Sequence, residues 1–152
     1  MISILLTPKS EEDIIKDLSK LSKKQQTHEL LLAAANNYKD KLCFLLKAGI
    51  DVNIQNNQGW SALHYASWHN HVEIMDILLK LGANIDIQDK TGWTPLMDAI
   101  FKSNMDATKK LIKLGANINI TNITGVNAYH ISLSASDSIK KMISKIFVEK
   151  QT

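Results

Sequence analysis

A recurrence every 33 residues is the feature that most constrains what this chain can fold into. Gly59, Gly92 and Gly125 are separated by that interval, as are Trp60 and Trp93. A second series, Gly49, Gly82 and Gly115, keeps the same spacing. Leu63 with Leu96, Ala66 with Ala99, and Asn53 with Asp86 and Asn119 hold the register as well. Self-similarity at a period of this size specifies stacked supersecondary units, each unable to bury its apolar face alone.

Inside one period the pattern reads helix, tight turn, helix, glycine stop, extended loop. In residues 27–58, Leu30, Ala33 and Ala34 mark a first helix, and Leu42, Leu45 and Leu46 a second. Asn36 and Asn37 lie between them and tolerate turn conformations, and Gly49 stands where a helix needs a left-handed residue to end. Residues 59–91 repeat this with Leu63, Ala66 and Ser67, then Ile74, Ile77, Leu78 and Leu79, then Gly82. Residues 92–124 repeat it again, with Pro95 in the first helical turn, where a missing N–H costs nothing. Asp89 ahead of Lys90, Thr91 and Gly92 supplies turn chemistry for a hairpin-like loop between units.

The ends depart from the period. In residues 125–152, Val126 takes the tryptophan place, Tyr129 the leucine place and Ser132 the alanine place. Ile139, Met142, Ile143 and Ile146 still make one apolar stripe, so the segment is expected to be a degenerate cap. In residues 1–26, Ser10 followed by Asp13 marks a helix start. Ile14, Ile15, Leu18 and Leu21 then predict one amphipathic helix from about Glu11 to Lys23, covering the open end of the stack.

Composition narrows the function classes. With 152 residues, 45% hydrophobic and 22% charged, the chain suits one globular domain. The net charge of +3 comes from lysines spread among acids, without the concentrated basic stripe of a nucleic-acid binder. Cys43 is the only cysteine, which excludes an internal disulfide and fits a reducing compartment. The N-terminal apolar run ends after Leu6, too short for a signal-peptide core or a membrane span. The expectation is a cytoplasmic protein, away from the membrane and, with two caps, a monomer.

The segments SALHYASWHNHVEIMDILLKLGANID and TPLMDAIFKSNMDATKKLIKLGANIN resemble the ankyrin repeat, with the TPL motif, the aliphatic pair and the GAN loops in register. The resemblance is close over residues 27–124 and loose over 125–148. It implies an all-α ankyrin-repeat solenoid of stacked helix-turn-helix units with projecting hairpin-like loops. It also implies that His64 hydrogen-bonds the backbone of its own or the next unit, with His130 in the matching place. Met97 and Leu31 stand where the other units would have that histidine, so those units are expected to be held less rigidly. Asn70 and Ser103 replace the glycine of the inter-helix turn. Around Asp51, Val52 and Asn53 the sequence also fits the pattern that asparaginyl hydroxylases modify in ankyrin repeats, against a plain loop-ordering role for Asn53.

Catalytic and metal chemistry find little support. His64, His69 and His71 cluster, but the resemblance gives His64 and His71 structural roles, and no cysteine or carboxylate is spaced to complete a tetrahedral set. Cys43 lies on a helix without a glycine-rich or oxyanion-type loop beside it, and reads as a partly exposed structural thiol. No nucleotide-binding, zinc-protease or serine-hydrolase motif occurs. Neither an enzyme nor a cofactor is expected.

The aromatic residues carry more. Trp60, Tyr65, Trp68, Trp93 and Phe101 occupy positions that the ankyrin pattern leaves variable, and under the resemblance these line the concave partner-binding surface. For Trp60 and Trp93 the competing role is packing on the adjacent loop. Gln58, Asn57, Lys90, Asp98, His69 and Lys102 form the expected polar rim, of mixed charge. The function implied is non-catalytic binding of another protein through the concave face and loop tips. Its sharper form is an inhibitor, such as an immunity protein or antitoxin. A host-directed adaptor or scaffold of a parasite or symbiont is the alternative, and a metal-binding or enzymatic protein the remote one.

Overall fold

A computed structural model describes residues 9–149. The apolar run that ends at Leu6 lies outside the described residues. Within them the chain forms nine helices and no strand: α1 (Glu11–Leu18), α2 (Lys23–Ala35), α3 (Lys39–Lys47), α4 (Ala62–Trp68), α5 (Val72–Lys80), α6 (Pro95–Phe101), α7 (Met105–Lys113), α8 (Ala128–Ser132) and α9 (Asp137–Glu149).

The N-terminal region differs from the single helix expected to reach Lys23. Helix α1 starts where anticipated, with Ser10 Oγ accepting the Asp13 N–H at 3.2 Å and three acids in the first turn. It stops at Leu18 because the Ser19 hydroxyl turns back onto the Lys16 carbonyl at 2.8 Å. Ser22 then opens α2 with a capping box, its Oγ accepting the Gln25 N–H while the Gln25 side chain accepts the Ser22 N–H at 3.0 Å. The first helix of the first unit therefore begins at Lys23, four residues ahead of Thr27. Helix α1 packs on α3, with Ile14, Ile15 and Leu18 half-buried and Glu11 paired to Lys47.

Two rows of helices follow. Helices α2, α4, α6 and α8 pack each on the next, and α3, α5, α7 and α9 form a second row behind them. The core lies between the rows. Ala33, Ala34, Ala66 and Ala99 are fully buried at the first-row contacts, where a larger side chain would hold the helices apart. Leu42, Leu45, Ile74, Leu78, Leu111, Ile139 and Ile143 fill the second row's inner side.

The turns inside the pairs need a left-handed residue, supplied by Asn37, Asn70 and Ser103 at φ 57°, 57° and 56°. Each turn is tied to the unit before or after it. His71 Nε2 lies 3.0 Å from the Ala35 carbonyl, Asn104 Nδ2 donates to the Ser67 and Trp68 carbonyls at 2.9 and 2.8 Å, and the Ser136 N–H donates to Ser103 Oγ.

The loops stack in their own register. Lys90 N–H donates to the Gln58 carbonyl and Ile123 N–H to the Thr91 carbonyl, each at 3.0 Å. Gln55 Nε2 reaches the Gln88 carbonyl at 2.9 Å, and Gln88 Nε2 the Thr121 carbonyl at 3.2 Å. This close approach demands glycine at Gly59 and Gly92: a Cβ there would stand 2.6 Å from Lys90 N and 2.8 Å from Asn122 Cα. Asn53 accepts the Asn84 N–H at 2.7 Å and donates to the Gly82 carbonyl, so both ends of its amide order the next loop.

Candidate functional site

The face made by the first-row helices and the loop tips brings together all five aromatic residues singled out in the sequence. Trp60 follows the loop turn closed by Asn56, whose side chain accepts the Gln58 and Trp60 N–H groups at 2.9 Å. Trp93 follows the equivalent turn closed by Asp89, which accepts the Thr91 and Trp93 N–H groups at 2.8 and 2.9 Å. Tyr65, Trp68 and Phe101 project from α4 and α6. The rings form an unbroken series: Tyr65 to Trp60 at 4.9 Å, Trp60 to Trp68 at 5.5 Å, Trp68 to Phe101 at 5.9 Å and Phe101 to Trp93 at 5.6 Å. Edge-to-face and offset contacts of this kind contribute about 0.5–1.5 kcal/mol each beyond area burial. The series is fixed before anything binds, yet Phe101 keeps 54% of its surface open.

The series also settles how the loop tryptophans are held. Trp60 lies 5.9 Å from the His64 ring, and His64 in turn lies 3.1 Å from the Trp93 carbonyl through Nε2. His64 Nδ1 accepts the Ser61 N–H at 3.1 Å, which leaves Nε2 as the protonated nitrogen donating to Trp93. The imidazole thus joins its own unit to the next. Burial holds its pKa below the ordinary histidine range. His130, in the matching place, is exposed, and its Nδ1 accepts the Asn127 N–H of its own unit.

The polar rim is only partly as expected. Gln58 and Lys90 are exposed at the loop tips, and Lys102 sets its Nζ 4.9 Å from the Trp68 ring centroid. His69 is exposed and stacks on His71 at 5.6 Å; burial first, then the neighbouring His71 and Lys102, lower its pKa. Asp98 is the correction. Its position on α6 turns it inward, leaving 1% exposed, and its Oδ2 has no hydrogen-bond partner among the described residues. Desolvation, with a contribution from Asp89, pushes its pKa up to about 8, so it is a buried neutral carboxylic acid at pH 7 and not a rim group.

One part of the face was missed in the sequence. A groove of about 630 Å³ opens between α2 and the first loop, lined from α2 by Lys23, Lys24, His28, Leu31 and Leu32, from the loop by Asn56, Asn57 and Gln58, and by Tyr65 of α4. Placing residues up to 26 in a separate cap hid it. The signal was the Ser22-to-Gln25 capping box, which assigns Lys23 and Lys24 to the first helix of the stack.

For metals the arrangement offers little. His64 and His71 are engaged with backbone carbonyls, and among the described residues no group of three or more His, Cys, Asp or Glu side chains is placed to hold an ion. No described helix is long and apolar enough to cross a membrane.

A family model described as ankyrin repeats (3 copies) matches residues 30–122. The chain belongs to the ankyrin-repeat family. No curated protein matches it. Ankyrin repeats generally mediate protein–protein interaction and are typically non-catalytic modules. In ankyrin terms His64 is the linking histidine of the second repeat, and the ring series runs along the first helices and loop bases of the second and third repeats.

Proposed function

We propose that this ankyrin-repeat protein binds another protein through the first-row helices and loop tips, with Trp68 and Phe101 at the centre of the contact. The observation that carries this reading is the partly open ring series from Tyr65 to Trp93, already locked by mutual contacts. Aromatic side chains fixed in advance lose little conformational entropy on association, which is what makes them strong interface anchors. Gln58, Lys90, His69 and Lys102 supply the surrounding polar contacts. The sharper form of the reading is an inhibitor: a rigid preformed surface acts most simply by occluding its partner, as an immunity protein or antitoxin does.

The test is co-purification from the source cell with wild type beside a Trp68→Ala/Phe101→Ala variant of matched thermal stability. One stoichiometric protein retained by wild type and lost by the variant is the expected result. Retention by both would move the interface off this face. Addition of the protein to the purified partner should abolish the partner's activity; undiminished activity in the complex would refute inhibition.

A further inference from the structure

Positive charge predominates on the binding face. Helices α4 and α8 carry no acid or lysine, and the acid of α2, Glu29, is paired with Lys41 of α3. Asp98 of α6 is buried; of the loop acids, Asp51 is exposed, and Asp86 and Asp89 are half-buried and accept backbone hydrogen bonds from the loops. Against these stand four exposed lysines, Lys23 and Lys24 beside the groove, Lys90 at a loop tip and Lys102 over Trp68, and none of the four has an ion-pair partner among the described residues. The second row carries both signs, with Asp76–Lys110 and Glu73–Lys39 pairs bridging its helices.

The groove adds a directional element. Lys90 and Ile123 donate their N–H groups to the preceding loop, but among the described residues Asn57, one period earlier, has no loop before it and its N–H finds no acceptor. By the same register that N–H points toward the groove at the end of the loop stack. Leu31, Leu32 and Ala35 give the groove an apolar part, and Tyr65 belongs both to its lining and to the ring series.

We propose that the occupant of this face is an extended acidic segment of the partner protein. An apolar side chain fills the groove over Leu32 and Tyr65, a backbone carbonyl accepts from Asn57 N–H, and carboxylates meet Lys23 and Lys24 at one end and Lys90 and Lys102 at the other. Single-stranded nucleic acid, the other polyanion that uses lysines and rings, needs open ring faces for base stacking. Here Trp60 stacks on His64, and Trp68 stacks on Phe101 beneath the Lys102 ammonium, so those faces are already occupied. The inference rests on the protein-binding reading and specifies its partner's chemistry.

The probe is a displayed library of short random peptides selected on the full chain. The recovered peptides should be rich in Asp and Glu around one aliphatic or aromatic residue. A synthetic representative should lose affinity about tenfold or more against Lys23→Glu/Lys24→Glu, and again against Lys90→Glu/Lys102→Glu, and should weaken as salt rises. Lysine-to-glutamine versions serve where a glutamate variant melts early. Asn57→Pro removes the donor together with the side chain and Asn57→Ala the side chain alone; proline should bind several-fold more weakly than alanine, and equal affinity of the two overturns the extended pairing. Neutral or basic peptides, indifference to the lysine variants, or displacement of the peptide by an oligothymidylate overturns the inference. Neutral peptides that are lost with Trp68→Ala/Phe101→Ala overturn the charge assignment alone and leave protein binding standing. If no peptide is recovered the inference falls, and the co-purification decides the broader reading separately.

Discussion

The imidazole of His64 joins two repeats: Nδ1 accepts the Ser61 N–H and Nε2 donates to the Trp93 carbonyl 3.1 Å away. Both partners are backbone groups at helix starts or loop bases, and the ring is fully buried. Replacing it by alanine leaves a cavity and orphans a donor and an acceptor. His64→Ala should cost on the order of 2–4 kcal/mol in chemical denaturation, one of the larger single losses in the chain.

The same residue sets an acid limit. Its folded pKa lies below the ordinary 6.5 because burial disfavours the imidazolium. The unfolded chain therefore binds the proton more readily. The contribution of His64 is fully present above about pH 6.5 and is lost as pH falls through the folded value. Melting temperature should drop on acidification across that window. A His64→Gln variant should be less stable at neutral pH but flatter over the same range.

Asp98 works in the opposite direction. Its folded pKa is raised to about 8 from 3.8, so the folded state holds a proton that the unfolded state has released. Stability contributed by the neutral acid is present below about pH 4 and declines as pH rises through about 8. Asp98→Asn, which stays neutral, should gain on wild type over that interval, by up to a few kcal/mol at pH 8. Paired melts at pH 5 and pH 8 measure it; an equal difference at both would mean the carboxyl is not titrating in the fold.

The two glycine series should separate by neighbour and not only by backbone. Gly92 and Gly115 both sit at positive φ, 81° and 92°, but a Cβ at Gly92 meets Asn122 Cα at 2.8 Å and one at Gly115 meets nothing within 4 Å. Gly115→Ala should cost about 1–2 kcal/mol from the left-handed backbone alone. Gly92→Ala should cost more, because the loop stack must also part. Equal losses would show that the loops yield freely.

Most of the architecture was legible because the signals repeat. Gly49, Gly82 and Gly115 each stop a helix, Ala66 and Ala99 each sit at a close contact, and errors in one unit are corrected by the next. The helix ends without a second copy were not recoverable in this way. The stop at Leu18 depends on Ser19 and Ser22 choosing local hydrogen bonds over a continued helix, a competition that apolar spacing does not register. At the binding face, ring positions followed from period and pattern. The inward turn of Asp98 did not, since Tyr65, one period earlier, remains half-exposed at the same place, and a carboxylate in a variable position reads as solvent-facing.

The third repeat offers a gain where the second shows the design. Met97 holds the histidine place there, fully buried, and its N–H is capped by Thr94 Oγ1 at 3.3 Å. One period beyond Trp93, the Val126 carbonyl accepts the Asn122 N–H at 2.9 Å, just as the Trp93 carbonyl accepts that of Asp89. Its second lone pair is the acceptor that a histidine at this position would reach. Met97→His should therefore link the third repeat to the C-terminal unit, adding about 0.5–1.5 kcal/mol for a hydrogen bond made in the interior. The gain should be largest above pH 7, where the ring is neutral, and should slow amide exchange in α8. A loss of stability at every pH would mean that the space filled by the methionine cannot accept the flatter ring, even with Trp93 in the place from which Trp60 packs on His64.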